Sequence, residues 1–168
     1  MNVRSGIGYD VHRFGEDRRL ILGGVYLEGE PGLLGHSDAD VLAHAIIDAL
    51  LGAASLGDLG THFPPEDARF AGADSMDLLR RAVGLLAANG WRPANLDSTV
   101  IAERPRLAPH IGAMRAALAD ASGLGVGQIS VKAKTNEALG ALGAGEGIAA
   151  LATALIEKIP NVAEHIRE

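Results

Sequence analysis

The sequence predicts a two-layer α/β sandwich, and three observations lead there. Strand-like alternation and helical periodicity take turns along the chain with no linker or low-complexity stretch between them. Strands separated by helices bury their apolar faces when the helices pack on a single sheet. At 168 residues and 48% hydrophobic content the chain suits one domain around one core, and no internal repeat suggests otherwise.

The elements follow in order. Val3 to Asp10 and Arg19 to Leu27 read as strands on either side of the turn-rich GEDRR, with Gly23-Gly24 weakening the second. Gly29 to Gly35, which contains Pro31, reads as a loop. A helix is expected from Asp38 to about Ser55, capped by Ser37 or Asp38, with backbone N–H groups around His36-Ser37-Asp38 free to hold a phosphate. GDLGTHFPPED is a loop, and Ala73 to Asn89 is an amphipathic helix closed by Gly90. Leu96 to Ala102 alternates as a strand, Ile111 to Ala121 is helical after Pro105 and Pro109, and Ile129 to Thr135 alternates again. The glycine-rich GALGAGEG then leads into a last helix, expected from Ile148 to about Ile159.

Composition excludes several classes of function. There is no cysteine, so disulfides, thiolate metal sites and thiol nucleophiles drop out, leaving histidine and oxygen ligands. The net charge of -6 argues against a general nucleic-acid or anionic-membrane surface, which gains its affinity from a basic face. The start, MNVRSGIGYD, has no apolar h-region and no run approaches a membrane span, so a soluble cytoplasmic protein is expected.

One constellation carries chemistry. Asp10 and His12 stand two apart, so on a strand both side chains leave one face. His36, Asp40, His44 and Asp48 recur at intervals of four; on a helix, Asp40, His44 and Asp48 line one stripe with His36 at its mouth. A lone histidine beside Ala43, Ala45 and Ile46 is more often a hydrogen-bonded core residue. Three ionisable groups on a helix otherwise made of Val41, Leu42, Ile46, Ile47, Leu50 and Leu51 shift that balance, because burying them is costly unless something there binds charge. Two imidazoles and a carboxylate, Asp10, His12 and His44, make a metal-ligand set with a coordination position left open.

GYDVHRF, LGGV, GLLGHSDADVLAHAIIDALLGAASLGDLG, HFP, ADS, ERPRLAPHI, VKAKTNE and GEGIAA occur in an order and spacing that resemble the 2-C-methyl-D-erythritol 2,4-cyclodiphosphate synthase family. The resemblance covers a single domain over 1–168, with only the last dozen residues outside it as a C-terminal extension. It implies a ferredoxin-like two-layer sandwich, assembled as a homotrimer with active sites at the subunit interfaces. It also implies a lyase of the non-mevalonate isoprenoid pathway that cyclises 4-diphosphocytidyl-2-C-methyl-D-erythritol 2-phosphate and releases CMP.

The same resemblance implies the roles of individual residues. Asp10, His12 and His44 would bind zinc or another divalent transition metal, one per subunit, and Glu137 would help hold magnesium or manganese on the diphosphate. His36 and Thr135 match positions that stabilise the transition state. Ser37, Asp58, Leu59, Gly60, Phe63, Pro64, Pro65, Glu66 and Asp67 correspond to the grip on the methylerythritol phosphate. Ala102, Glu103, Arg104, Pro105, Arg106, Leu107 and Ala108, with Ala133, Lys134 and Asn136, correspond to the cytidine and diphosphate pocket. Taken alone, Asp58 after Gly57 reads equally as a turn residue, Arg106 as solvated surface and Thr135-Asn136-Glu137 as a strand end. Asp48 is expected to orient its neighbours rather than to bind metal.

Some positions depart from the family pattern. Lys134-Thr135-Asn136-Glu137 stands for the common Thr-Thr-Thr-Glu, and Phe63-Pro64-Pro65-Glu66-Asp67 lacks the usual Asp after Phe-Pro. Ala141 and Ala144 replace an aromatic residue and an arginine, so no grip on an isoprenoid diphosphate in a central cavity is expected. Two rival classes remain at this level. One is a non-haem iron oxygenase, which uses the same ligand set on a different scaffold. The other is a trimeric module that binds a nucleotide without chemistry.

Overall fold

The computed structural model describes residues 2–160. Gly23 and Gly24, at φ +56 and +75, form a tight two-residue connection between β1 (Val3–Leu22) and β2 (Val25–Leu33), pairing Leu22 with Val25 and Leu20 with Leu27. Both turn positions need left-handed backbone, which glycine adopts at little cost. The break expected at GEDRR is therefore corrected. The chain stays extended there and absorbs the turn-rich residues as a register slip between Gly15 and Arg19, with Asp17 at φ 59. Most of the loop expected at Gly29 to Gly35 is likewise the second half of β2.

Asp40 caps α1 (Val41–Ala53) by accepting the Ala43 N–H at 3.1 Å, so neither Ser37 nor Asp38 is the cap. The same carboxylate accepts the Gly23 and Gly24 N–H groups at 2.9 and 2.7 Å, fastening the hairpin turn to the helix start. A short α2 (Leu59–His62) and a 3-10 turn (Ala68–Phe70) shape the next loop. Asp74 caps α3 (Ser75–Ala88), which ends before Gly90 at φ +78. β3 (Trp91–Ile101), α4 (Ile111–Ser122), β4 (Ile129–Lys134), the single-turn α5 (Gly140–Gly143) and β5 (Gly147–Lys158) complete the chain.

The last element overturns the helix expected from Ile148 to Ile159. β5 is a strand whose Ala150, Ala152, Ala154 and Ile156 point inward while Leu151 and Leu155 point out. Alanine favours helix in isolation, but β5 lies between β1 and β3 and hydrogen-bonds along both edges, which outweighs propensity. Its small side chains also leave room for α1. On β1 the demand is stricter: a Cβ on Gly6 would lie 2.0 Å from the Ala49 carbonyl oxygen, and one on Gly8 1.9 Å from that of Ala45.

The five-stranded sheet has the order β2-β1-β5-β3-β4, with β3 and β4 parallel and β5 antiparallel to both its neighbours. One face packs on α1, α3 and α4; the other exposes Val3, Ile7, Tyr9 and Val11 of β1 and Leu151 and Leu155 of β5. The two layers match expectation. The connectivity departs from the ferredoxin-like β-α-β-β-α-β order, because β4 leads through the single-turn α5 to a last strand that inserts at the sheet centre. Among the described residues no helix is long and apolar enough to cross a membrane. The expected C-terminal extension lies outside the described residues from position 161 onward.

Two glycine substitutions should have opposite effects. Gly8→Ala drives a methyl into α1 backbone and should destabilise at the upper end of the about 1–3 kcal/mol typical of overpacking. Gly84→Ala, in α3 with nothing within 4 Å, should stabilise by about 0.5–1 kcal/mol. Urea unfolding midpoints check both.

Candidate active site

The close approach of α1 to β1 brings a helix residue onto two strand residues. His44 Nδ1 lies 2.9 Å from Asp10 Oδ2, His12 Nε2 lies 3.0 Å from the same oxygen, and the two ring nitrogens are 3.3 Å apart. A tetrahedral metal with bonds of about 2.0–2.1 Å spaces its ligands about 3.3 Å apart, so this triangle of donors fits a divalent ion. The Val11 N–H donates to Asp10 Oδ1 at 2.8 Å and so turns Oδ2 toward the histidines. Among the described residues this is the one cluster of such groups close enough to share an ion.

Electrostatics agree with the geometry. Burial alone would raise the Asp10 carboxyl, but hydrogen bonds and charge from His12 and His44 hold it well below the usual carboxylate range. Burial pulls the His44 imidazole down, yet its hydrogen bond to the Asp10 carboxylate and the charges of Asp10, Asp40 and Asp38 outweigh it and raise the pKa. A site that favours extra positive charge on its ligands will also favour a cation between them.

The expected stripe on α1 divides into three roles. His44 joins the triad. Asp40 is wholly buried and is occupied by three backbone N–H groups rather than by metal or substrate. Asp48 lines the cleft and accepts the Leu59 N–H at 2.7 Å, holding the start of α2 in place. Burial raises the Asp48 carboxyl, and the nearby charges of Asp58 and Asp10 add to the rise.

The triad forms the floor of a cleft of about 330 Å³ that is also lined by His36, Ser37, Asp58, Leu59, Gly60, Phe63 and Pro65. These are the residues assigned to the methylerythritol phosphate end, with His36 beside them. Pro64, Glu66 and Asp67 flank the cleft without lining it, and Asp67 caps the 3-10 turn and pairs with Arg69. Asp58 caps α2 through the Thr61 N–H and hydroxyl at 2.8 and 2.7 Å, and that hydroxyl lowers its pKa. Phe70 and Leu78 also line the cleft, and no pattern in the sequence marked them. The phosphate cradle expected near Ser37 is largely taken. The Asp38 N–H donates to the Ala73 carbonyl, that of Ala39 to Ser37 Oγ and that of Asp40 to Asp38 Oδ1.

The remaining expected residues gather elsewhere. Glu103 accepts the N–H groups of Asn136 and Ala138 at 2.8 and 3.3 Å, and the Ala102 N–H donates to the Lys134 carbonyl, joining the 102–108 loop to 133–137. Thr135 donates its hydroxyl to Glu137 at 2.8 Å, with Glu137 in left-handed backbone at φ 51. Ala141 lies within α5 and Ala144 follows it as the C-cap. Across the sheet, Asp10 pairs with Ala150, Ala150 with Val100 and Val100 with Ala133. Three strand spacings of about 4.8 Å place Ala133 roughly 14 Å from Asp10. One chain thus carries two separate clusters of the expected residues at the same end of its sheet.

Known proteins resemble this chain in both sequence and fold. The sequence pattern described as the YgbB family matches residues 3–157. The chain is 59% identical to 2-C-methyl-D-erythritol 2,4-cyclodiphosphate synthase of Trichlorobacter lovleyi, over 92% of this chain and 98% of that protein. It is 61% identical to the protein of the same name from Chromobacterium violaceum, over 91% and 97%. Among solved structures, it superposes on the bifunctional IspDF from Campylobacter jejuni with a TM-score of 0.90 at 42% identity, covering 94% of this chain and 42% of that one. It superposes on a 2C-methyl-D-erythritol-2,4-cyclodiphosphate synthase described as the CDP-bound form with a TM-score of 0.84 at 37% identity, covering 92% and 100%.

Asp40 gives the fold a pH signature. Burial pushes its carboxyl up from 3.8 to about 6, against the pull of the Gly24, Ala43 and Gly23 N–H groups. Its contribution to stability is therefore complete below about 3.8 and is lost as the pH rises through about 6. Asp40→Asn lacks that titration, so the stability advantage of wild type over the variant should shrink between about pH 4 and 6.5 in urea unfolding. An advantage that grows over this range would mean the three donors favour the ionised form.

Proposed function

The chain belongs to the YgbB family of 2-C-methyl-D-erythritol 2,4-cyclodiphosphate synthases, and from that membership we infer that it cyclises 4-diphosphocytidyl-2-C-methyl-D-erythritol 2-phosphate with release of CMP. The observation that carries this reading is the Asp10, His12 and His44 triangle at the floor of a cleft closed by Asp58, Leu59, Gly60 and Phe63. An oxygen of the 2-phosphate forms a bond to the β-phosphorus as the bond from that phosphorus to the bridging oxygen breaks. The electron pair leaves with CMP. The nucleophile is ionised at neutral pH, so no catalytic base is required. Holding it in one molecule with its electrophile is worth an effective molarity of about 10^5–10^8 M when the folded geometry is enforced.

The protein's work is then positioning and charge. Asp58 and the backbone of Leu59 and Gly60 hold the methylerythritol end, and Phe63 with Phe70, ring centroids 5.4 Å apart, shields it from water. Pro64, Pro65, Glu66 and Asp67 complete that loop, and Ser37 meets the substrate beside His36. His36, and Thr135 once its hydroxyl turns from Glu137, donate hydrogen bonds to phosphate oxygens as charge builds on them. The loop of Ala102, Glu103, Arg104, Pro105, Arg106, Leu107 and Ala108, with Ala133, Lys134 and Asn136, receives the cytidine and diphosphate. Zinc held by Asp10, His12 and His44 would act as a Lewis acid on the diphosphate. Magnesium or manganese near Glu137 would neutralise phosphate charge.

The working unit of this proposal is a cytoplasmic homotrimer whose sites form between neighbours. Two features support it. The two half-sites of one chain are too far apart to meet on one substrate's diphosphate, and the open sheet face presents Val3, Ile7, Tyr9, Val11, Leu151 and Leu155. An apolar sheet face of this kind is the sort of surface that a soluble protein covers.

Incubation with the cytidyl substrate, zinc and magnesium should release CMP and give a cyclic diphosphate in phosphorus NMR. His44→Ala should lose both bound zinc and turnover by at least about 100-fold, as expected for loss of a metal ligand, while Asp48→Asn, whose amide oxygen still accepts from Leu59, should do much less. Binding of the substrate without CMP release would favour a module without chemistry. One zinc per subunit in His44→Ala would refute the ligand set.

Subunit exchange tests the shared site. His44→Ala and Glu137→Ala chains mixed one to one should recover about a quarter of wild-type activity, because random closed trimers pair intact halves at about one junction in four. No recovery after verified exchange would place both halves in one subunit.

A further inference from the structure

β1 carries an irregularity that its pairing with β2 does not require. Gly15 faces Gly32 and Arg19 faces Pro31, so Glu16, Asp17 and Arg18 stand unopposed between two consecutive residues of β2. Asp17 holds left-handed backbone at φ 59, a conformation that a non-glycine residue keeps only where its surroundings enforce it. The strands also approach so closely that a Cβ on Gly32 would have no room against the Arg18 carbonyl. Bulges beside functional sites commonly re-aim a side chain.

Here the re-aimed side chain is Arg18. Its Nη2 donates to the Ser37 carbonyl oxygen at 2.6 Å, although Glu16, Asp17 and Glu30 line the groove beside it. The segment around Ser37 is held at two other points. The His36 carbonyl accepts the Gly72 N–H at 2.8 Å, and the Asp38 N–H donates to the Ala73 carbonyl at 3.0 Å. The planar peptide between Ser37 and Asp38 therefore has its oxygen fixed by Arg18 and its N–H fixed by Ala73, which stops it from rotating. One residue further on, Ala39 is left-handed at φ 58, so the path from His36 to the start of α1 follows these outside partners rather than local preference. Gly72 and Ala73 act through their main chain; of the three partners, Arg18 alone acts through its side chain.

We propose that Arg18 is a positioning residue: by holding the Ser37 carbonyl it sets the direction in which His36 enters the cleft and keeps Ser37 beside it. This rests on the reading of His36 as a donor to the phosphate oxygens of the substrate. Arg18 itself lies outside the lining of the cleft and acts through the main chain of its neighbour.

Arg18→Met and Arg18→Lys test this together. Methionine keeps a stem of similar length and loses the donor. Lysine returns one, and the contact uses a single nitrogen on a single oxygen, so the guanidinium fork is not needed. Arg18 is half-buried, so both variants should fold. Arg18→Met should lower kcat by about 10–100-fold, the scale of a catalytic group displaced by about 1 Å, and Arg18→Lys should recover most of that loss. In a His36→Ala background Arg18→Met should cost little more, because the group it positions is gone. A second readout needs no substrate: in the free protein the Asp38 amide should exchange its hydrogen faster in Arg18→Met, and ¹⁵N relaxation should show Ser37 and Asp38 less restrained, with both restored in Arg18→Lys. Wild-type kcat in Arg18→Met overturns the proposal, as do losses that multiply in the double variant, a lysine variant no better than methionine, or amides that do not change. If wild type does not turn over the cytidyl substrate, the reading of His36 fails instead, and the amide measurements alone decide whether Arg18 holds the segment.

Discussion

The contact between α1 and β1 is the constraint on which the rest depends. Gly6 and Gly8 leave no side chain between strand and helix, and the helix backbone occupies the space their Cβ atoms would take. Two residues further along β1 the side chains return as Asp10 and His12, on the same face of the strand. The helix, held that close, sets His44 within 2.9 Å of Asp10. Asp40 fixes the remaining degree of freedom. By capping α1 and tying in the hairpin turn at Gly23 and Gly24, it determines where along β1 the helix begins, and hence which turn of α1 faces the triad.

An acidic protein with net charge -6 that takes an anionic substrate must offset repulsion locally. The triad meets that need in two steps. Asp10, held ionised by the histidines, together with Asp38 and Asp40 makes the pocket attractive to a divalent cation. A bound cation then reverses the local sign and favours phosphate. The cleft itself supplies few positive groups, so under the proposed function substrate affinity would depend on an ion held by the triad.

Much of this site was legible in the sequence because it rests on local spacing. Asp10 and His12 at two-residue spacing mark one face of a strand, and His44 and Asp48 on an otherwise apolar segment mark a helix that meets it. Periodicity places side chains on a face but does not give their depth, which is why Asp40, His44 and Asp48 read as one stripe and proved to have three separate partners. The last helix was misread for a related reason. Ile148, Leu151 and Leu155 fall at helical spacing, and the alanines between them favour helix, whereas the requirement for small side chains beneath α1 exists only in the tertiary structure. The contact between Asp38 and Ser75 was equally invisible, since they stand 37 positions apart and meet only when α3 docks.

The same dependence on tertiary structure explains why the two half-sites sit where they do. β1 and β3 run in the same direction through the antiparallel β5 between them, and β4 runs parallel to β3, so the ends of β1, β3 and β4 that carry chemistry open at one edge of the sheet. A single chain cannot bring them together, because the interposed strands fix their separation at roughly three strand spacings, each about 4.8 Å. Rotating copies about an axis beside the open face, as in the proposed trimer, would solve this without deforming any strand. In the proposed trimer this would set the Thr135 and Glu137 end of one chain against the triad of the next, and in the same step would cover Ile7, Tyr9 and Leu151. On this view the apolar face and the divided site have one cause: the fold leaves exposed on one surface what assembly needs in order to complete the other.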